Sequence, residues 1–295
     1  MNKRKELLER GMQLLFLLCG IVAVAFVLVL SVYLILSGVP AIREIGLWRF
    51  LFGKTWAPTA TTVEPSFGIL PFLLSSVYGT AGACLLGVPI GILTAVCLAK
   101  AAPPKVASAI GTAVQLLAGI PSVVYGLIGM IVLVPAIQRT FRLSSGACLL
   151  AAILVLTVMI LPSIISVSET ALRAVPREYE EGSLALGATE TETWFRVSLP
   201  AAGSGVAAAV VLGVGRAIGE AMAVIMVSGN VPNMPSLFGS VRFLTTAISS
   251  EMSYASVGSL QRQALFSIGL VLFLFILLMS AFLNLVLKKG GKGNA

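Results

Sequence analysis

Six apolar stretches long enough to cross a bilayer dominate the chain, at about 13–36, 69–98, 109–137, 147–167, 204–228 and 264–287. A membrane helix needs about 20 mostly apolar residues, because each adds 1.5 Å of rise across a core of roughly 30 Å. Composition agrees. Of 295 residues, 58% are hydrophobic and only 11% charged, against roughly 25% charged in a soluble domain. Mean hydropathy is +1.01. A soluble fold of this size cannot hide that much apolar surface, so the expected class is all-α and integral to the membrane. The second and third stretches contain Pro89 and Pro121, which predict kinks, breaks or interfacial turns.

The formal charge is +8, but its placement argues against nucleic acid. Lys3, Arg4, Lys5 and Arg10 precede the first apolar run, and Lys288, Lys289 and Lys292 follow the last. With both termini in the cytoplasm, inner segments carry 12 basic residues and outer segments 7, the bias expected of a membrane topology. This orientation makes 1–12 and 288–295 cytoplasmic tails, 37–68 and 229–263 extracytoplasmic loops, and 99–108 and 168–203 cytoplasmic loops. Trp48 and Trp56 in the first outer loop suit a membrane-water boundary. The first stretch is read as a retained helix, because its apolar run exceeds a signal core of about 7–15 residues.

Cys19, Cys84, Cys97 and Cys148 all lie in apolar stretches with no CxxC pair, and the chain has neither His nor Asp. The cysteines read as small hydrophobes. Common zinc sets, the Ser-His-Asp triad and a nucleotide-binding glycine loop are absent from the sequence. No cofactor and no enzyme activity are expected of this chain; if ATP drives it, another chain binds the ATP.

The 168–203 loop carries six of the twelve glutamates. Residues 178–186 read as a helix that Gly187 ends by accepting a positive φ. Thr189 and Glu192 have the spacing of a capping box for a second helix, with Trp194, Phe195 and Val197 as its apolar side. Pro200 is expected to break the chain before the next span. By itself this helix-turn-helix suits either insertion into a groove on a soluble partner or packing on the membrane surface.

The loop resembles the coupling motif of ABC importer permeases, Glu-Ala-Ala-x-x-x-Gly, nine residues, then Ile-x-Leu-Pro. Glu181 and Gly187 stand at the first two anchors, and Val197, Leu199 and Pro200 at the last three. Gly182 and Ser183 replace the alanines, and Val197 the isoleucine. The resemblance implies a type I ABC importer permease whose loop docks on an ATPase subunit. Three further stretches resemble phosphate permeases of the PstC type: Phe67 to Pro71 with Gly79 and Thr80, Ala118 to Gly126, and Gly215 to Val224. The core of the last is shared with the sister PstA type. The implied partners are a PstA-type permease subunit, ATPase subunits and an extracytoplasmic phosphate-binding protein, with phosphate as cargo.

Arg216 falls near the middle of the fifth stretch, with Glu220 four residues on. On a continuous helix the two share a face. A charge at that depth costs about 2.5–3.5 kcal/mol, so both are expected to face protein or water. They read either as lining a translocation path, Arg216 binding the anion and Glu220 competing for it, or as a buried ion pair that locks helices. Gly215 with Gly219, and Gly87 with Gly91, have Gly-x-x-x-Gly spacing and read as packing sites. Ser122, Tyr125, Thr157 and Ser163 are candidate path hydroxyls, although such groups more often bond their own backbone. Alternatives are another oxyanion (molybdate, sulfate or phosphonate), the PstA-type role, or an intramembrane enzyme or ion-coupled carrier.

Overall fold

The computed structural model describes residues 3–59 and 64–291. The extreme ends of the expected tails, with Lys292, and residues 60–63 of the expected 37–68 loop lie outside the described residues. Helix dominates. α1 (Lys3–Ile45) and α2 (Leu47–Phe52) are followed by a hairpin of two short antiparallel strands, β1 (Trp56–Ala57) and β2 (Ser66–Phe67). Then come α3 (Leu70–Val96), α4 (Pro104–Gly119), α5 (Ser122–Ile128), α6 (Val134–Phe141) and α7 (Leu149–Arg173). α8 (Arg177–Ala185), α9 (Glu190–Thr193) and α10 (Leu199–Ala201) form the 168–203 region. α11 (Gly203–Gly219), α12 (Met222–Val227), α13 (Leu244–Glu251) and α14 (Leu260–Gly291) complete the chain.

Among the described residues, five helical segments are long and apolar enough to cross a membrane: Gly11–Ile45, Leu70–Ala101, Ser122–Phe141, Leu149–Arg173 and Leu260–Ala281. A sixth is reached if Glu190–Ala201 and Gly203–Gly219, bent by 73° at Ala202, count as one. Four expected spans therefore appear as single helices. The other two are interrupted, and each interruption has a local cause.

The third expected span, 109–137, is two helices. Pro121 (ψ 141°) has no N–H to donate, and its ring drives Ile120 to an extended ψ of 128°. α4 stops there and a second rod begins, continuing through a π turn (Gly129–Leu133) into α6. Tyr125 restores one lost bond by donating its hydroxyl to the Leu117 carbonyl at 2.7 Å. Pro89 has no such effect: α3 runs through it and continues in a π turn at Cys97–Ala101. The fifth expected span also breaks. α11 ends at Gly219, and Glu220 takes an extended backbone (φ −73°, ψ 125°) before α12.

α3 and α7 make the central pairing. A Cβ at Gly87 would lie 2.7 Å from the Ile160 Cδ1, and one at Gly91 2.7 Å from the Ile164 Cγ2. Isoleucines of α7 thus fill the space that the missing side chains leave, and the main core grows from this seam through Leu156, Met159 and Val224. A second core joins the ends of α1 and α14 to the hairpin, through Phe50, Trp56, Phe72, Leu244 and Leu265. α1 crosses α14 where the Ser267 hydroxyl donates to the Gly38 carbonyl at 2.6 Å. Most of its apolar surface, including Phe16, Phe26 and Leu36, is exposed, as lipid contact allows. All four cysteines are free thiols.

Candidate functional site

The 168–203 loop forms from signals internal to it. α8 covers Arg177–Ala185, and Gly187 follows at φ +89°, where a side chain would be strained. The Thr189 hydroxyl accepts from the Glu192 N–H at 3.3 Å, and the Glu192 carboxylate accepts from the Thr189 N–H at 3.1 Å, completing the expected capping box. The Thr189 N–H and, at 3.0 Å, its hydroxyl both donate to the exposed Glu192 carboxylate and hold it below the usual carboxylate range, the backbone N–H contributing most. Pro200 does not break the helix where expected. A π turn at Trp194–Ser198 precedes it, with Leu199 N–H donating to the Trp194 carbonyl, and the wider turn lets the proline sit at the start of α10. The bend comes at Ala202.

Trp194 and Leu199 pack against a small core of Ala95, Val96, Leu172 and Val206, whereas Phe195 is half exposed, so the expected apolar side is split. Glu181 and Gly187 are exposed, Val197 and Leu199 partly buried, and Pro200 exposed. Tyr179, Leu184 and Phe195 present apolar surface, and Leu186 is 91% exposed beside the Gly187 turn.

A polar contact that the sequence did not reveal ties this loop to the helices. Lys100, in the π turn after α3, pairs with Glu180 of α8, and the Ser198 hydroxyl donates to the same carboxylate at 2.7 Å. Burial alone would raise the Glu180 pKa, but the bonds from Lys100 and Ser198 outweigh it and lower the carboxyl below its ordinary range. Arg173 donates to Glu169 at 3.0 Å and to the Leu98 carbonyl at 2.9 Å, a second tie in the same region. Apart from Glu169 and Arg173, one helical turn apart, these contacts join residues too far apart in the chain for a local pattern to pair them.

The break after Gly219 corrects the expected geometry of the charged pair. Glu220 has left the helix, so it does not follow Arg216 on one helical face. Its carboxylate instead accepts from the Ala223 N–H at 3.0 Å, and its carbonyl accepts from the Thr245 hydroxyl at 2.8 Å. Among the described residues no carboxylate lies within 4.0 Å of Arg216. The guanidinium donates to the Ser163 hydroxyl at 3.4 Å, at a cavity bounded by Ala118, Pro162, Ser166 and Leu212. Among the described residues Arg216 and Glu220 form no ion pair.

The glycines divide. Gly87 and Gly91 pack as expected, whereas a Cβ at Gly215 or Gly219 would meet nothing within 4 Å, so neither packs against this chain. Of the candidate hydroxyls, Thr157 bonds its own backbone at 2.8 Å, Tyr125 serves the α4 terminus, and Ser163 meets Arg216.

At the other end of the bundle, Arg242 pairs with Glu251 and donates to the Asn230 carbonyl at 2.8 Å. Glu251 also accepts from the Trp56 indole at 3.0 Å and from Gln261 at 3.3 Å. This cluster joins the hairpin, α13 and the start of α14.

Residues 87–289 match the family of binding-protein-dependent transport system inner membrane components. The chain is 38% identical over 284 residues to the probable ABC transporter permease protein YqgH of Bacillus subtilis, covering 94% of this chain and 91% of that one. It is 34% identical to the phosphate transport system permease protein PstC of Pasteurella multocida, covering 82% and 83%. Among solved structures, a bacterial ABC transporter that imports alginate superposes with a TM-score of 0.67 at 13% identity, covering 98% and 99%. The MetNI methionine ABC transporter superposes with a TM-score of 0.56 at 20% identity, covering 76% and 94%. The fold is that of a type I ABC importer permease. The chain belongs to the binding-protein-dependent transport system inner membrane components, the non-enzymatic membrane subunits that work with ATPase and substrate-binding partners.

Proposed function

We propose that this chain is the PstC-type permease subunit of an ATP-driven phosphate importer, paired with a PstA-type subunit. The observation that carries the reading is Arg216: a guanidinium without a carboxylate partner among the described residues, held in an apolar helix next to a backbone break and opening on a cavity. Broken helices at membrane depth persist where they line a cavity, because freed backbone groups need partners there. Arg supplies a planar, permanently charged fork suited to phosphate oxygens. A hydroxyl neighbour leaves that charge available to an anion, whereas a carboxylate would cancel it. The PstC relatives support phosphate over other oxyanions.

Glu220 has a positioning role in this reading. By capping the amide of Ala223 it holds the start of α12 and keeps the break beside Arg216 open. The exposed elbow around Leu186 and Gly187 is the cytoplasmic contact with the ATPase subunit, with Glu181 on its rim. Both termini are cytoplasmic, and the Trp56 end faces the phosphate-binding protein. Alternating access follows from ATP-driven closure of the ATPase pair, which moves the 168–203 loop and the helices tied to it.

The test is Arg216→Gln in the complete transporter reconstituted in proteoliposomes. Loss of one charge-assisted contact, worth about 1.5–3 kcal/mol, predicts a fall in phosphate uptake of about tenfold or more. Assembly and nucleotide binding should be unchanged. Normal uptake by this variant would overturn the reading. Competition of labelled phosphate by sulfate or molybdate at equal concentration would assign another cargo instead.

A further inference from the structure

We propose that the groove between α4 and the end of α7 is the cytoplasmic half of the anion's route, carrying it from Arg216 past Ser166 and Gln115 to Arg173. This rests on the reading of Arg216 given above.

Two cavities lie end to end here. One opens at Arg216 and is bounded by Ser163 and Ser166 of α7. The next is lined by Ser108, Thr112 and Gln115 of α4 and by Ser166, Glu169 and Arg173 of α7. Ser166 belongs to both walls, so the two cavities adjoin at that residue.

The polar residues are not scattered. Ser108, Thr112 and Gln115 are four and three positions apart, which places them on one face of α4. Ser166, Glu169 and Arg173 have the reverse spacing on α7. Ala107 and Val114 of α4 are buried against Leu98 and Ile165, and Val106, Ile110 and Leu116 present an exposed apolar surface. α4 packs on α7 through Ala107, Val114 and Ile165, and the polar side chains of both helices line the groove beside that contact, where exposure to lipid is costly. Water or a hydrated anion solvates them.

The chemistry suits passage rather than capture. Thr112 donates to the Ser108 carbonyl at 2.9 Å, and Thr170 to the Ser166 carbonyl at 2.9 Å, so those hydroxyl protons are committed. Gln115 and Ser166 make no side-chain hydrogen bond among the described residues and offer neutral donors to phosphate oxygens. Arg173 ends the track with its charge partly balanced by Glu169. Successive weak sites let an anion leave, whereas a bare guanidinium would hold it.

The test uses the complete transporter in proteoliposomes carrying Gln115→Cys or Ser166→Cys, with Leu116→Cys on the apolar face of α4 as the control. A membrane-impermeant, negatively charged methanethiosulfonate is added from the ATPase side, and thiol incorporation is read against the parent protein. Reaction at 115 and 166 should be slowed by inorganic phosphate and should cut uptake about tenfold or more, the effect of losing a contact of about 1.4 kcal/mol. Modification of the control should leave uptake unchanged. Absence of reaction at both groove positions, or reaction without loss of uptake, would overturn the proposal. Should the cysteine variants fail to assemble, Gln115→Leu with Ser166→Ala serves in their place: a lowered ratio of phosphate moved to ATP hydrolysed supports the route, and an unchanged ratio overturns it. An Arg216→Gln variant read alongside separates the two claims. If it loses uptake while the groove variants do not, only the groove falls. If it transports normally, the reading of Arg216 falls.

Discussion

Lys100 and Glu180 form an ion pair that joins the end of α3 to the first helix of the 168–203 loop. Ser198 bonds the same carboxylate from the far side of that loop, so one side chain ties three segments. The tie places α8 and α9 in direct contact with the end of α3, which packs along α7 through the Gly87 and Gly91 seam, and under the proposed function a push on the loop reaches the bundle by this route.

Removing one partner should loosen the tie. Lys100→Met leaves a mostly buried carboxylate facing an apolar chain, and a hydrogen bond to a charged group is worth about 1.5–3 kcal/mol. Amides of α8 should exchange about ten to a hundredfold faster in hydrogen-exchange measurements. The transporter should retain ATP hydrolysis while moving less phosphate per ATP. Unchanged exchange and unchanged coupling would show that the pair is incidental.

The same carboxyl predicts a pH dependence. Its folded-state pKa lies below the ordinary value, so its contribution is present above the ordinary carboxylate range and is lost as pH falls through the lowered value. Protection of α8 amides should stay level from neutral pH down to the ordinary carboxylate range and then fall as pH drops from there through the lowered value. In Ser198→Ala, which removes one of the bonds lowering the pKa, the drop should move to higher pH. Parallel profiles for the two proteins would contradict this.

The capping box should be separable from the clamp. Thr189→Ala removes the hydroxyl that accepts from the Glu192 N–H and should cost about 1 kcal/mol at the start of the helix beginning at Glu190. Thr189→Ser keeps the oxygen and should recover most of it. Amide exchange at residues 191–193 reports the difference.

The α3–α7 seam should resist added volume. A side chain at Gly87 or Gly91 meets Ile160 or Ile164 within van der Waals distance, so Gly91→Leu should cost about 1–3 kcal/mol and lower the melting temperature in detergent. Gly20→Ala, on α1 where nothing lies within 4 Å, should leave it unchanged.

The cluster around Glu251 should matter comparably at the other end. Glu251→Gln weakens the contacts to Arg242 and the Trp56 indole together and should cost about 2–3 kcal/mol. Trp56 emission should shift during an earlier thermal transition. An unaltered transition would show that Arg242 finds compensation in the Asn230 carbonyl.

Much of this molecule was legible because its strongest signals are local. Bilayer thickness sets a minimum apolar run, so the rods at Leu70–Ala101 and Leu149–Arg173 followed from hydropathy alone. Thr189, Glu192 and Gly187 carry their roles in their immediate backbone, and the box and the positive φ formed where the spacing placed them. Pro121 announced an interruption, though not that a separate helix would precede it.

The charged pair was misread for an opposite reason. No proline marks the break after Gly219; the Ala223 amide and the Thr245 hydroxyl hold Glu220 in an extended backbone, and Thr245 comes from a distant segment. Gly215 and Gly219 have the same spacing as Gly87 and Gly91, yet only the latter pair faces isoleucines in this chain. Spacing specifies a stripe, and the neighbour decides its use.

The sequence by itself determined the class, four of the six rods and the helix-turn-helix of the loop, because apolar run length, capping spacing and glycine act over a few residues. Only the tertiary structure decided that Arg216 meets Ser163 rather than Glu220, and that Lys100, Glu180 and Ser198 share one bond network. Those contacts join segments whose separation along the chain carries no periodic signal, and they exist only once the α3–α7 seam has brought the helices together.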